Sequence, residues 1–191
     1  MMRNQHARQQ TDQLNELRSG GWYQPRKEYP MERRQYPLDP YYYDEEHFGI
    51  PQKRLRSHPP LVKHVTDPNE LENYRVYFKD GQIVDHHARQ FNCDDCIFVV
   101  DLNGNMYIHE PLDGFFHHSS FVKGMPVLAA GEIKFFDGRI VSLNNKSGHY
   151  KPDQESLDLP LSFFHEAGVR IEPEAIERFS PDQIIDLRDQ R

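Results

Sequence analysis

Three dipeptides constrain the architecture more tightly than anything else in the chain: Asp80-Gly81, Asn103-Gly104 and Asp137-Gly138. Each joins a residue that tolerates a left-handed backbone to a glycine that adopts one without steric cost, as a tight hairpin turn demands. Each is also flanked by strand-like patterning. Ahead of Asp80, Tyr74, Val76 and Phe78 alternate with Arg75, Tyr77 and Lys79, the period of a half-buried strand, and residues 82–85 return from the turn. Residues 96–102 (CIFVVDL) are apolar on both faces and belong inside a sheet, and Asn103-Gly104 turns them into 105–109. Residues 116–122 and 127–136 are two further strand candidates, the second turned by Asp137-Gly138 into 139–143. The expectation is an α+β fold: a curved antiparallel sheet or partial barrel, laid down as a hairpin meander, with C-terminal helices packed on one side.

The helical signals come late. Asp153 can cap a segment carrying Leu157, Leu161 and Phe164 on one face and ending at Gly168, with Pro160 kinking it or splitting it into two short pieces. Ser180-Pro181-Asp182-Gln183 opens a second helix over 181–188, with a capping box and proline at the first helical position.

The chain divides into a flexible polar arm (1–36), an extended aromatic and basic connecting segment (37–71) and the domain itself (72–191). The arm is rich in Gln, Arg and Asn and broken by Gly20-Gly21 and Pro25, with room for one short helix at 11–18 capped by Thr11. Yet Trp22, Tyr23, Tyr29, Tyr36, Tyr41, Tyr42 and Tyr43 carry more aromatic area than a solvated tail has use for, so the arm is expected to dock on the domain or on a protein partner. The basic knot Lys53-Arg54-Leu55-Arg56 reads as a solvated face.

Charge narrows the function. Residues 1–60 hold ten basic and eight acidic side chains, and the remainder hold thirteen and twenty-two, so the formal −7 belongs to the domain. An acidic body is the wrong surface for gripping a phosphate backbone, and no nucleic acid is expected. No stretch is long and apolar enough to span a bilayer. The N-terminus has no apolar signal core, which points to the cytoplasm and leaves open export without a cleaved signal peptide. Cys93 and Cys96 alone do not make a disulfide framework and fit a reducing compartment. With His87 or His86 they are weak candidates for zinc, and no metal is expected.

The residues able to do chemistry lie in two runs, His117-His118-Ser119-Ser120 and Ser147-Gly148-His149-Tyr150, with Glu132 between them. If 116–122 is a strand, His118 and Ser120 share one face while His117 and Ser119 share the other. Gly148 permits an unusual backbone that aims His149 and Tyr150 back across the sheet. Convergence of the two runs would make a pocket for a peptide or small polar ligand, lined by His117, His118, Ser119, Ser120, Ser147, Gly148, His149 and Tyr150. In an enzyme, His118, Ser119, Glu132 and His149 would supply an acid, a base, a nucleophile and a carboxylate that orients an imidazole or stabilises a developing cation. The bland alternative is that these groups simply satisfy one another.

CIFVVDLNGNMYI, FFHHSSFVKG, AAGEI followed by DGRI, and SGHYKP together resemble the conserved domain of plant IQ-motif (IQM-type) proteins and their fungal relatives, over about residues 72–171. The resemblance implies a binding or regulatory domain with a protein partner and no cofactor. It does not extend to calmodulin. Ile50-Pro51-Gln52-Lys53 is no IQ element, because Pro51 breaks the helix that element must form, and no calmodulin binding is expected. Glu132 stands where the plant proteins carry arginine. The HSSF and SGHY-x-P elements are also similar to bacterial effector-like and toxin-like proteins. That similarity implies the alternative, a toxin-type transferase such as a divergent ADP-ribosyltransferase using NAD. There His149 and Tyr150 would position substrate and Glu132 would stabilise an oxocarbenium-like transition state.

Overall fold

The computed structural model describes residues 34–39, 62–112 and 115–184. The expected helix at 11–18, most of the aromatic cluster and the basic knot lie outside the described residues. In chain order the elements are α1 (Pro68–Glu72), β1 (Tyr77–Lys79), β2 (Gln82–Val84), β3 (Cys96–Val100), β4 (Met106–His109), α2 (His118–Val122), β5 (Ala129–Phe136), β6 (Arg139–Asn144), α3 (Asp158–Glu166) and β7 (Ile176–Glu177). β1 and β2 form their own hairpin, and the main sheet runs β4-β3-β5-β6-β7. Its pairings are antiparallel apart from β6 with β7. The fold is α+β with a curved, open sheet.

The turns form where the dipeptides put them. Asp80 and Gly81 have φ of 50° and 74°, and Asp137 and Gly138 have 48° and 71°, the left-handed pairs of a type I′ hairpin. The Asn103-Gly104 connection is longer. Only Gly104 is left-handed there (φ 79°), and the Asp101 carboxylate holds the loop by accepting from the amides of Asn103 (2.9 Å) and Asn105 (2.8 Å). The alternation at 74–79 serves two neighbours in turn. Tyr74 and Val76 exchange backbone bonds with Ile108 and Met106 of β4, and Tyr77 onward pairs with β2.

β3 is buried on both faces, as its composition requires. Phe98 and Val100 pack with Ile133, Phe135, Leu143 and, from α3, Phe163 and Phe164. Ile97 and Val99 face the other way, into a second cluster with Ala130, Tyr107, Phe116, Phe121 and Tyr150. α3 therefore covers one face, and the short α2 stands on the other. Pro160 divides the C-terminal helical segment as expected, into a 3-10 turn (Gln154–Leu157) and α3. It sits in the first turn of α3, where its missing N–H would have had no partner. Asp153 caps the 3-10 turn by accepting from Glu155 (3.1 Å) and Ser156 (3.2 Å), and Gly168 closes α3 at φ 72°.

Three expectations of the fold are corrected. Residues 118–122 are helical, not a strand, and His118, Ser119, Ser120 and Phe121 are all buried rather than alternating. Bonds within the run and one from outside it hold the helix. The His117 amide donates to Ser120 Oγ (2.9 Å), and left-handed Lys123 (φ 56°) and Gly124 (φ 72°) end the turn. The Val65 amide, from elsewhere in the chain, donates to the Ser120 carbonyl (2.9 Å). Of the helix expected at 181–188, the described part is a 3-10 turn over Pro181–Gln183 with Ile184 extended (φ −82°, ψ 99°), and residues 185–188 lie outside the described residues. The two-residue β7 was not foreseen. Finally, Cys93 and Cys96 are bonded to each other across a Cα–Cα distance of 5.9 Å. Neither sulfur is then a thiolate for zinc, and the cysteine argument for a reducing compartment falls away. His86 and His87 stack against each other with ring centroids 3.8 Å apart. Among the described residues, no helix is long and apolar enough to cross a membrane.

Candidate functional site

The site begins where the β5–β6 ladder ends. The last antiparallel pair is Glu132 with Asn144. The Asn144 side chain accepts from the amides of Lys146 (2.8 Å) and Glu132 (3.3 Å) and donates to the Glu132 carboxylate (3.0 Å). Asn145, fully buried, ties down everything that follows. Its Nδ2 faces the carbonyls of Pro152 (3.0 Å), Asp153 (3.0 Å) and Phe179 (2.8 Å), and its Oδ1 accepts from the Phe179 amide (2.8 Å). The loop carrying Ser147, Gly148, His149 and Tyr150 is thus closed on itself. The Lys151 amide donates to the Ser147 carbonyl (2.7 Å) and the Tyr150 amide to Ser147 Oγ (3.4 Å). Gly148 is not the residue that bends this loop. The left-handed backbone falls on Lys151 (φ 42°).

The two runs meet. Ser119 Oγ lies 2.7 Å from His149 Nδ1, thirty positions away in sequence, and the ring centroids of His117 and His149 are 4.8 Å apart. The Tyr150 hydroxyl donates to the Met125 carbonyl (2.9 Å). His118 departs from this group, since its Nε2 donates to the carbonyl of Gly131 at 2.9 Å. Ser120 serves the start of α2. Glu132 lies on the Ala130 side of β5 by strand alternation, but its carboxylate is bonded to Asn144. Ser119, Ser120, Ser147 and His149 are all buried.

Burial pushes the His118 ring down to about pKa 4. Its bond to Gly131 opposes the shift, and His117 adds to it. The unfolded chain takes up this proton near pH 6.5, while the folded ring refuses it until about pH 4. Stability from the neutral ring is therefore complete above pH 6.5 and is lost as pH falls toward 4, by on the order of 3 kcal/mol at the bottom of that window. His118→Gln keeps a donor for Gly131 and removes the titration. Urea midpoints taken from pH 7 to 4 should fall less steeply for this variant than for wild type, and identical slopes would contradict the assignment.

Over the cluster lies a segment of the aromatic arm, whose docking was expected without an address. Tyr36 exchanges two backbone bonds with Val127 (2.8 and 3.0 Å), and the Asp39 amide donates to the His149 carbonyl (2.8 Å). The Tyr36 hydroxyl and the Arg34 guanidinium take the two oxygens of Asp153, each at 2.5 Å. Burial and the Asp153 carboxylate both raise the Tyr36 hydroxyl far above its ordinary pKa, so it remains a donor. Asn144, Asn145 and Asp153 were not singled out as site residues, because an Asn-Asn pair or an Asp before a helix looks like ordinary turn and cap chemistry.

Residues 117–153 of this site lie in a stretch that resembles a known domain. Residues 70–157 match the family model described as the IQ motif-containing protein middle domain. Segment 34–39 lies outside the match. Among individual proteins, the chain is similar to three IQ domain-containing proteins of Arabidopsis thaliana. It is 32% identical to IQM3 over 122 residues (60% of this chain, 27% of that protein) and 32% identical to IQM5 over 108 residues (54% and 22%). It is 30% identical to IQM2 over 126 residues (62% and 21%). The chain therefore spans about a quarter of the length of the curated relatives it matches. No solved structure matches. These relatives add nothing to the resemblance with bacterial effectors or toxins.

Proposed function

We propose that this chain is a protein-interaction domain that holds an extended peptide along the groove between Val127 and the 149–153 loop. Phe121, Val127 and Tyr150 line it, His149 offers its backbone carbonyl, and His117, His118, Ser119, Ser120, Ser147 and Gly148 would hold that loop and α2 in place around it. One observation carries the proposal: residues 34–39 already lie there as an extended peptide, joined by three backbone hydrogen bonds to Val127 and His149. That favours a peptide over a small polar ligand. Similarity to the IQM middle domain supports a protein partner. Nothing in the proposal requires calmodulin, nucleic acid, metal or NAD. The transferase alternative would need the Glu132 carboxylate turned toward substrate beside His149, and here it is engaged by Asn144.

Selection of short random peptides on the full chain tests the proposal. Peptides that bind should lose about tenfold or more with Asp153→Ala, which removes the charged rim of the groove. They should bind unchanged to Phe136→Ser, whose side chain is 71% exposed on the β5–β6 hairpin. Selected peptides indifferent to Asp153→Ala would refute the proposal, as would failure to select any on the chain or its Arg34→Glu variant.

A further inference from the structure

Residues 34–39 display what the groove accepts. Burial along them alternates as in a strand: Tyr36 and Leu38 are 6% and 3% exposed, whereas Arg34, Gln35 and Pro37 are exposed. Tyr36 and Leu38 enter the cluster that contains Val127, Phe121 and Tyr150. Arg34, one step further along the same side, reaches Asp153 together with the Tyr36 hydroxyl. Pro37 faces outward, where an added edge strand does not require an N–H. In strand addition the backbone bonds are blind to sequence, and sites for alternate side chains supply the selectivity. Here those sites are a carboxylate shared by a cation and a phenol, then an aliphatic seat two residues on.

We infer that residues 34–39 are an internal ligand, and that the groove recognises in a partner protein an extended segment of the pattern Arg-x-Tyr-x-Leu, which replaces the internal one. This rests on the peptide-groove proposal and gives its ligand a chemistry. Because segment 34–39 belongs to the same chain, its effective concentration at the groove is on the order of millimolar. A competing peptide therefore sees a groove that is mostly filled, and its apparent affinity falls by the fraction left open.

The test uses the full chain and a fluorescent peptide copying residues 31–42, with anisotropy as the readout. Arg34→Glu in the protein sets two carboxylates against each other at the surface and leaves the buried Tyr36 and Leu38 unchanged. Tyr36→Ala/Leu38→Ala empties the groove outright. Circular dichroism establishes which variants are folded. The copy peptide should bind each folded variant at least about tenfold more tightly than wild type. Its own Tyr36→Ala and Leu38→Ala versions should lose that gain. If the double variant does not fold, Arg34→Glu decides alone. Equal affinity of wild type and folded variant for the copy peptide would overturn the inference, as would equal binding of the alanine peptides. Randomly selected peptides that still respond to Asp153→Ala would leave the broader proposal standing in that event. The reverse result, a copy peptide that binds the variants while no other sequence does, would leave an internal strap with no partner to exchange for.

Discussion

Asn145→Ala should lower the unfolding free energy by about 3–5 kcal/mol, among the largest effects of any single substitution outside the apolar core. Asn145 is fully buried, and its amide serves the carbonyls of Pro152, Asp153 and Phe179 and the Phe179 amide. Removing it takes a partner from the buried Pro152 carbonyl and from the part-buried Phe179 amide and carbonyl, while the Asp153 carbonyl keeps its bonds from Ser156, and each buried loss costs about 1–3 kcal/mol. Part of that is recovered as the loop relaxes, which keeps the total below the simple sum. Asn145→Asp should be worse than alanine, because it sets an oxygen carrying negative charge against three carbonyl oxygens. Urea denaturation followed by circular dichroism measures both. A midpoint within experimental error of wild type for Asn145→Ala would show that the 145–153 loop is not organised by this side chain.

Gly131→Ala should cost about 3 kcal/mol, for a reason that is steric and not conformational. Gly131 has no left-handed backbone, but a Cβ there would lie 1.8 Å from the Asn144 carbonyl oxygen and 2.9 Å from the Phe98 ring. The ring of Phe98 can shift, but the carbonyl belongs to the end of β6 and moves only if Asn144 and its bonds to Glu132 move with it. Displacement there also disturbs the Gly131 carbonyl, the acceptor of His118 Nε2. The variant should therefore lose stability in urea and, in addition, lose part of the pH 4–6.5 dependence that His118 confers. A variant as stable as wild type would mean that β6 leaves β5 with more room than the structure gives it.

Hairpins, central strand and helix caps were legible because each is specified by a few adjacent residues. Asp-Gly and Asn-Gly allow a backbone that few other pairs tolerate, and CIFVV has no polar face to offer solvent. Residues 116–122 misled because a seven-residue run containing two aromatics and a valine suits a strand as well as a buried helical turn. Bonds at the ends of the run, from the His117 amide to Ser120 Oγ and through left-handed Lys123 and Gly124, favour the helix, and the Val65 amide on the Ser120 carbonyl adds a contact that the run itself does not announce. That substitution of helix for strand changed how the site is built, since His118 and Ser119 now leave in different directions, one to Gly131 and one to His149. The Ser119 and His149 runs stood out by their chemistry, but their meeting was only a conditional expectation until the Ser119–His149 contact placed them together. Asn145 was not, because nothing in an Asn-Asn pair says that one of them will be buried beneath a chain segment thirty-four positions away. Nor was the pairing of Cys93 with Cys96, which two cysteines three apart neither require nor exclude. The seat of Tyr36 was written in an alternation of only five residues, too short to stand out against a polar arm.

Exchange of the Val127 amide hydrogen, resolved by NMR, tests the central claim most directly, since that amide donates to the Tyr36 carbonyl. It should be protected in wild type, exchange at least about tenfold faster in folded Tyr36→Ala/Leu38→Ala, and regain protection when the peptide copying residues 31–42 is added. Protection that persists in the variant, or that the peptide does not restore, would contradict a groove built to hold an extended peptide.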